Sequence, residues 1–158
     1  MLTDQIVNNV ATLGKLGYWG KAPGTSGSVA GLILYTVCFF NATPVSFFLL
    51  ILIFIYLSIA FCHEAERRMQ KKDPGEVILD EVVAMPLCFI GTGYIMETYP
   101  VWLVLLVGFG LFRFFDILKP LGIAKLQDLE GGLGIVVDDL AAAAATCVCL
   151  HVLYLALS

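Results

Sequence analysis

The longest uncharged stretch of the chain decides its fold class. No Asp, Glu, Lys or Arg occurs between Lys21 and Glu64. One crossing of a bilayer takes about 20 apolar residues, so this stretch is long enough for two crossings and too apolar for a solvated linker. Hydrophobic residues make up 59% of the sequence and charged residues 14%, against about 25% charged residues in soluble domains. This composition predicts a polytopic membrane protein and excludes a water-soluble globule.

Breaks in the hydropathy divide the chain into five apolar segments. Polar stretches containing Gly or Pro separate them, and the first segment is shorter than a full crossing requires. That segment either crosses or re-enters on the same side, and the charge distribution described next favours crossing. The sequence therefore predicts an all-α membrane bundle of about five apolar helices, the first short, in one domain over residues 1–158. The segments are 26–40, 45–62, 77–96, 100–118 and 135–157.

The basic residues all fall on one side of the membrane in this topology. If the five segments cross, residues 1–25, 63–76 and 119–134 share one side with the adjoining helix ends, and the other side has no Lys or Arg. Basic loops stay in the cytoplasm, which predicts a multi-pass membrane protein with this side facing the cytoplasm. The net charge of −4 and the lack of a basic cluster argue against a nucleic-acid partner. The nine basic residues are Lys15, Lys21, Arg67, Arg68, Lys71, Lys72, Arg113, Lys119 and Lys125.

Acidic residues follow the same distribution, which hydropathy alone does not require. Twelve of the thirteen lie on the basic side, leaving only Glu97 opposite. Five of them sit just inside the cytoplasmic ends of apolar segments, where an ionisable group is costly and usually has a partner. Gathered at one site they would repel one another unless a cation lay between them, and oxygen-only ligands suit Mg²⁺. The alternative is that acidic pairs simply favour helix N-termini. The five are Asp80, Glu81, Asp116, Asp138 and Asp139.

Two features on the same side suit a phosphate group. Arg113 and Asp116 are three residues apart, so they share one helix face, and Lys119 follows a turn further on. A guanidinium matches a tetrahedral oxyanion, although an intrahelical ion pair with a snorkelling lysine fits the same spacing. A run rich in Gly, Ser and Thr leads into the first apolar segment, with Thr25 or Ser26 as the predicted N-cap. Free amides at such a helix start bind anions, and a plain capped turn is the alternative.

Four motifs on this side of the membrane extend over most of the chain in a fixed order. They read KAPGTSGS at residues 21–28, DPGEVILDE at 73–81, FRFFDILKP at 112–120 and GGLGIVVDD at 131–139. Together they resemble the phosphatidylglycerophosphatase A family of bacterial membranes. The resemblance implies an all-helical membrane phosphatase that requires Mg²⁺ and converts the phospholipid phosphatidylglycerophosphate to phosphatidylglycerol and inorganic phosphate.

The charged residues of these motifs give a predicted mechanism. A water polarised by the metal attacks phosphorus in line, with charge stabilisation supplying most of the rate; an aspartyl-phosphate intermediate is the alternative. The predicted metal ligands, for one or two ions, are Asp80, Glu81, Asp138 and Asp139. The predicted catalytic residues are Asp80, Asp116 and Asp139, with Asp116 completing or bracing the site. The predicted phosphate-binding residues are Lys21, Thr25, Arg113 and Lys119.

Two other classes of membrane protein compete with this interpretation. A small transporter or proton-relay subunit also uses intramembrane carboxylates, but its polar groups should be spread through the membrane depth, and here they crowd one end of the segments. A lipid-forming phosphotransferase of the CDP-alcohol type would carry the pattern DGxxAR…GxxxDxxxD, which is absent. A hydrolase acting on a lipid phosphate fits the sequence better than either.

Overall fold

The computed structural model describes residues 2–120 and 122–158, and side-chain placements are described from residue 5 onward. Within these residues the chain forms α-helices and helical turns and no strand, so the predicted all-α fold is confirmed. The α-helices are α1 (Leu2–Ala11), α2 (Pro23–Leu34), α3 (Pro44–Met69), α4 (Leu79–Ala84), α5 (Gly93–Thr98), α6 (Val101–Leu118) and α7 (Gly132–Leu157). Shorter 3₁₀ or π turns cover Leu16–Tyr18, Tyr35–Phe39, Met85–Phe89 and Ile123–Asp128.

Three of the helices are long and apolar enough to cross a membrane. They are α3, α6 and α7, with 26, 18 and 26 residues. The first apolar segment continues from α2 through a π turn, and this Pro23–Phe39 stretch is shorter than the three, as predicted. Pro44 suits the first position of α3 because its fixed φ is helical and its missing N–H would have no partner there. The Thr43 side chain accepts a hydrogen bond from the Ser46 N–H at 3.2 Å and caps this helix.

The third apolar segment is not one helix. The stretch predicted as 77–96 divides into α4, a 3₁₀ turn and α5. Pro86 has no N–H to donate to the Val82 carbonyl, so the α-helix ends beside it, and Gly91 turns the chain at a φ of +71°. The segment nevertheless connects the two ends of the bundle. Its Ile78 N–H donates to the Ala11 carbonyl at 3.0 Å, and its Ile90 carbonyl lies 2.9 Å from His151 Nε2 near the end of α7.

Close backbone packing places α2 against α4. A Cβ on Gly31 would lie 2.5 Å from the Met85 Cβ and 2.9 Å from the Val82 carbonyl oxygen, and one on Gly27 would lie 3.0 Å from the Ile78 Cβ. Small residues allow helices in membranes to approach at van der Waals distance, where packing rather than the hydrophobic effect holds them together. This contact places α2 alongside α4, with the second turn of α2 beside the start of α4.

A second close contact fixes the start of α7. A Cβ on Gly132 would meet the Ile59 carbonyl and the backbone N–H of His63 on α3. The N-terminal part of α7 therefore lies against the C-terminal half of α3. The packed centre of the bundle includes fully buried Ile51, Met85 and Phe112. These contacts bring the beginnings of α2, α4 and α7 to one end of the bundle, and a hydrogen bond from Lys119 to Asp138 on α7 brings the end of α6 there as well.

Candidate active site

A cavity of 280 Å³ opens at this end of the bundle. Its walls come from the start of α2, the turn before α4, the first turn of α4, the end of α6 and the second turn of α7. Most of the charged residues of the four sequence motifs line it. The lining residues are Ala22, Pro23, Gly24, Asp73, Gly75, Val77, Asp80, Glu81, Arg113, Asp116, Lys119, Asp138 and Asp139.

Three carboxylates meet in the cavity. Asp80, Glu81 and Asp139 each place one oxygen so that the three oxygens lie within 4.8 Å of one another. Asp80 and Asp139 are only 7% and 3% exposed. The pair on α4 lies in a first turn, where the helix dipole favours negative charge. Asp139 lies in the second turn of α7, so the dipole does not account for its position.

The oxygens of these carboxylates have few partners of their own. Asp80 Oδ1, Glu81 Oε2 and Asp139 Oδ2 are buried and accept no hydrogen bond within the described part of the chain. A buried carboxylate without a partner is costly, and three together also repel one another. A divalent cation that prefers oxygen ligands would remove both costs. The residues present therefore fit a metal ion, and the cluster can hold one.

Asp138 is placed differently from the other predicted metal ligands. Its Oδ2 accepts a short hydrogen bond from Lys119 Nζ, and the aspartate side chain is 3% exposed and the lysine side chain 20%. Burial lowers the pKa of the Lys119 ammonium, but its hydrogen bond to Asp138 and the nearby acidic charges outweigh this, so the pKa lies above its usual value. Lys119 thus carries a fixed positive charge at the cavity wall.

Arg113 links the acidic cluster to α2. Its Nη1 lies 2.6 Å from Asp116 Oδ2, 3.3 Å from Ser28 Oγ and 3.8 Å from Glu81 Oε1. The intrahelical ion pair that the spacing also allowed is therefore present, and it is one part of a larger network. Arg113 Nε is buried with no hydrogen-bond partner within the described residues. The Nε–H of this guanidinium can therefore donate a hydrogen bond to an anionic ligand.

Lys21 and Thr25 lie outside the cavity lining, and both are exposed. The predicted N-cap is wrong, because α2 begins at Pro23 and its N-cap is Ala22, which makes no side-chain cap. Proline is pre-organised for the first helical position, and this moves the start of the helix two residues ahead of Thr25. The Thr25 N–H donates to the Ala22 carbonyl at 3.1 Å and is not free for an anion.

Gly24 is a site residue that the sequence analysis did not single out. A Cβ there would meet the Glu81 Oε1 atom and would lie 3.0 Å and 3.2 Å from Arg113 Nη1 and Nη2. Ser28, one turn later, donates to the Gly24 carbonyl at 2.9 Å and accepts from Arg113. The available signal was the small-residue spacing that Gly24 begins, continued by Gly27 and Gly31 on one face of α2.

We expect Gly24→Ala to reduce turnover about a hundredfold, because displacement of reacting groups by about 1 Å has effects of this size. The atoms displaced are the far ends of the Glu81 and Arg113 side chains, so the thermal unfolding temperature in detergent should stay near that of the wild type. Gly110→Ala on α6 is the matched control, since a Cβ there meets nothing within 4 Å. A large loss of stability with unchanged turnover would contradict this role for Gly24.

The fold and the site define a class of protein: a membrane protein whose buried charged groups surround one cavity, as in an enzyme acting at the bilayer surface. The chain belongs to the phosphatidylglycerophosphatase A family, because the model of the family with that description matches residues 9–154. It is accordingly a lipid phosphatase. The resemblance carried by the four motifs is thereby confirmed.

Three similar proteins have related names. The phosphatidylglycerophosphatase A of Haemophilus influenzae is 37% identical over 77% of this chain and 72% of its own length. The protein of the same name from Escherichia coli is 29% identical, over 76% and 67%. A protein of Bacteroides thetaiotaomicron, described as a candidate phosphatidylinositol-3-phosphatase, is 32% identical, over 80% and 79%. No solved structure matches the chain significantly.

Proposed function

We propose that the protein is a Mg²⁺-dependent phosphatase that hydrolyses phosphatidylglycerophosphate to phosphatidylglycerol and inorganic phosphate. The observation that carries this proposal is the cavity itself, in which unpartnered carboxylate oxygens face a guanidinium and an ammonium group. Two of the relatives bear the name of this activity. The third is named for a different phospholipid, and all three names describe removal of a phosphate from a lipid headgroup.

In this proposal Asp80, Glu81 and Asp139 hold the cation. Their three oxygens are already gathered within 4.8 Å, and a divalent ion would neutralise them. When bound, Mg²⁺ would withdraw charge from the phosphoryl oxygens and activate a water for attack on phosphorus. A carboxylate of the cluster would accept the proton of that water, the P–O bond to the headgroup glycerol would break, and the departing glycerol oxygen would take up the proton to give phosphatidylglycerol and inorganic phosphate. Asp138 lies next to the cluster but is bonded to Lys119, so we assign it to positioning the lysine unless a second ion binds.

Arg113 and Lys119 bind the phosphate oxygens. Both line the cavity, and each is already oriented by an acidic partner, Asp116 for the arginine and Asp138 for the lysine. Fixed cationic donors stabilise the charge that spreads over the equatorial oxygens during phosphoryl transfer. Asp116 therefore braces the site by holding the guanidinium in place. The exposed Lys21 and Thr25 flank the cavity-lining residues 22–24, where we assign them to the outer rim.

A transporter or proton relay fits the geometry less well. The described acidic and basic side chains concentrate at the end of the bundle that contains the cavity, and the opposite end has a larger cavity of 600 Å³ lined mainly by aromatic and aliphatic residues. Glu97 and His151 lie at that opposite end. A relay would need ionisable groups between the two ends, and the buried charged residues of the described chain, Asp80, Asp138 and Asp139, all line the cavity.

We further propose that the cavity opens to the cytoplasm, where the substrate headgroup would reach it without crossing the bilayer. The support is the distribution of all nine Lys and Arg residues on the side of the cavity.

In a variant lacking the native cysteines, cysteines at Gly75 and Lys72 should resist a membrane-impermeant thiol reagent in intact spheroplasts. Cysteines at Asn41 and Ser158 should react. All four positions are exposed.

Lysis before labelling is the control, and it should make the first two positions reactive. Gly131 lies in the other loop on this side, but it is a poor position for a labelling cysteine because its φ is +63° and a Cβ there would meet the His63 ring. Strong labelling of Gly75→Cys in intact spheroplasts would contradict the proposed orientation.

Phosphate release by the purified protein tests the proposed reaction. The protein in mixed micelles with Mg²⁺ should release inorganic phosphate from phosphatidylglycerophosphate and leave phosphatidylglycerol with both acyl chains. Soluble glycerol 3-phosphate should be a much poorer substrate, since it has no acyl chains in the bilayer. The proposal is wrong if no phosphate leaves the lipid at saturating Mg²⁺. An acid-stable label trapped on the protein during turnover would replace direct attack by water with an aspartyl-phosphate route.

A further inference from the structure

One carboxylate at the mouth of the cavity has no role in the mechanism above. Asp73 lines the cavity with Asp80, Arg113 and Asp138, but unlike Asp80 and Asp138 it is exposed. It lies on the turn between α3 and α4, so its carboxylate is at the opening and the other acidic groups are inside.

The surrounding chain holds Asp73 in a fixed position. Its φ is +46°, a left-handed conformation that Asp and Asn tolerate better than most residues. Its N–H donates to Glu66 Oε1 at 3.4 Å, and its Oδ2 accepts from Gln127 Nε2 at 3.0 Å. The next residue, Pro74, is fully buried. The carboxylate is therefore tied to both loops that border the cavity, and no hydrogen bond within the described chain reaches Oδ1.

The proposed substrate has a group that matches this oxygen. Phosphatidylglycerophosphate carries its terminal phosphate on a glycerol with one free hydroxyl. With that phosphate on Arg113 and Lys119, the rest of the headgroup would extend toward the mouth of the cavity, which Asp73 borders. An ionised carboxylate is a strong acceptor for an O–H donor, and a site built to bond a hydroxyl rejects an analogue that lacks it.

We propose that Asp73 is a specificity-determining residue that selects a hydroxylated lipid headgroup by accepting a hydrogen bond from its hydroxyl. Gln127 positions the carboxylate for this contact. The inference rests on the proposed function, because the hydroxyl belongs to the substrate assigned there. It assigns Asp73 to recognition of the headgroup and not to binding of the cation.

A double-mutant cycle between enzyme and substrate tests the contact. The two substrates are phosphatidylglycerophosphate and the analogue in which 1,3-propanediol replaces the headgroup glycerol, which removes only the hydroxyl. The wild type should have a kcat/KM about tenfold to a hundredfold lower for the analogue. Asp73→Gly, which suits the positive φ, should show that same loss on the glycerol lipid and no further loss on the analogue. Asp73→Asn, a neutral acceptor, should fall between Asp and Gly.

Asp128→Asn is the matched control for charge. Asp128 is exposed in the same loop as Gln127 and does not line the cavity, so its variant should keep the wild-type preference. If the wild type hydrolyses the glycerol lipid, three results would each overturn the inference. The Asp73 variants could lose kcat/KM equally on both lipids, they could lose none, or Asp128→Asn could show the same change as they do. A wild type inactive on both lipids would overturn the proposed function and this inference with it.

Discussion

Asp80→Asn and Asp139→Asn should each lower phosphate release about a thousandfold, the scale on which a preorganised electrostatic site loses rate when a principal charge is removed. Asparagine keeps the size of the side chain but removes the charge that a hard cation requires. Both carboxylates are buried and both have an oxygen with no hydrogen-bond partner among the described residues. Initial rates at saturating Mg²⁺ and equal amounts of inserted protein would measure the effect.

The same variants should fold at least as well as the wild type in the absence of metal. Each removes one of three mutually repelling buried charges, so the thermal unfolding temperature in chelator should stay constant or rise. Glu97→Gln is the matched control, since Glu97 is exposed at the opposite end of the bundle and its variant should keep full activity. Wild-type turnover in both aspartate variants would show that the metal site is misassigned.

Arg113→Ala should lower kcat/KM about a hundredfold to a thousandfold, because a guanidinium that stabilises a transferring phosphoryl group has at least this effect. Arg113→Lys should recover part of the rate, since lysine restores the charge but not the planar fork that binds two oxygens. Arg113 Nε is buried without a partner in the described chain, which leaves the fork a donor for the substrate. Steady-state kinetics on the lipid substrate would measure both variants.

Two comparisons separate binding of the phosphate from a structural role of this arginine. Guanidinium ion added to Arg113→Ala should restore part of kcat, which repair of the fold alone would not explain. Lys125→Ala is the charge control, because Lys125 is exposed on the same end and does not line the cavity, and it should keep full activity. Unchanged kinetics in Arg113→Ala would remove the arginine from the proposed mechanism.

The general architecture could be predicted because it depends on hydropathy and helix breakers alone. The uncharged stretch after Lys21 and the apolar runs after Pro44 and Pro100 predict α2, α3 and α6, although α3 continues beyond the predicted end at residue 62 to Met69. The third apolar segment could not be predicted in detail. Its hydropathy is that of a spanning helix, but Pro86 removes a backbone donor and Gly91 adopts a positive φ, and both effects depend on where the neighbouring helices allow a bend.

The residues that form the site were easier to predict from the sequence than the hydrogen bonds and ion pairs between them. Charge distribution alone gathered Asp80, Glu81 and Asp139 at one end, and the structure brings these three together. The charge distribution did not show that Asp138 would bond Lys119. Adjacent residues on a helix point about 100° apart, so which of Asp138 and Asp139 faces the cluster depends on the rotation of α7. The small-residue spacing on α2 indicates a close helix contact at Gly24, but it does not identify Glu81 and Arg113 as the partners, because the contact joins three separate helices.

The central claim is that a divalent cation held by buried carboxylates is needed for hydrolysis of a lipid phosphate. Its most direct test is phosphate release from phosphatidylglycerophosphate by chelator-treated protein as Mg²⁺ is added back. We expect no turnover in excess chelator, saturable recovery with Mg²⁺ in the wild type, and no recovery over the same Mg²⁺ range in Asp139→Asn. Full turnover of the wild type in excess chelator would contradict the claim.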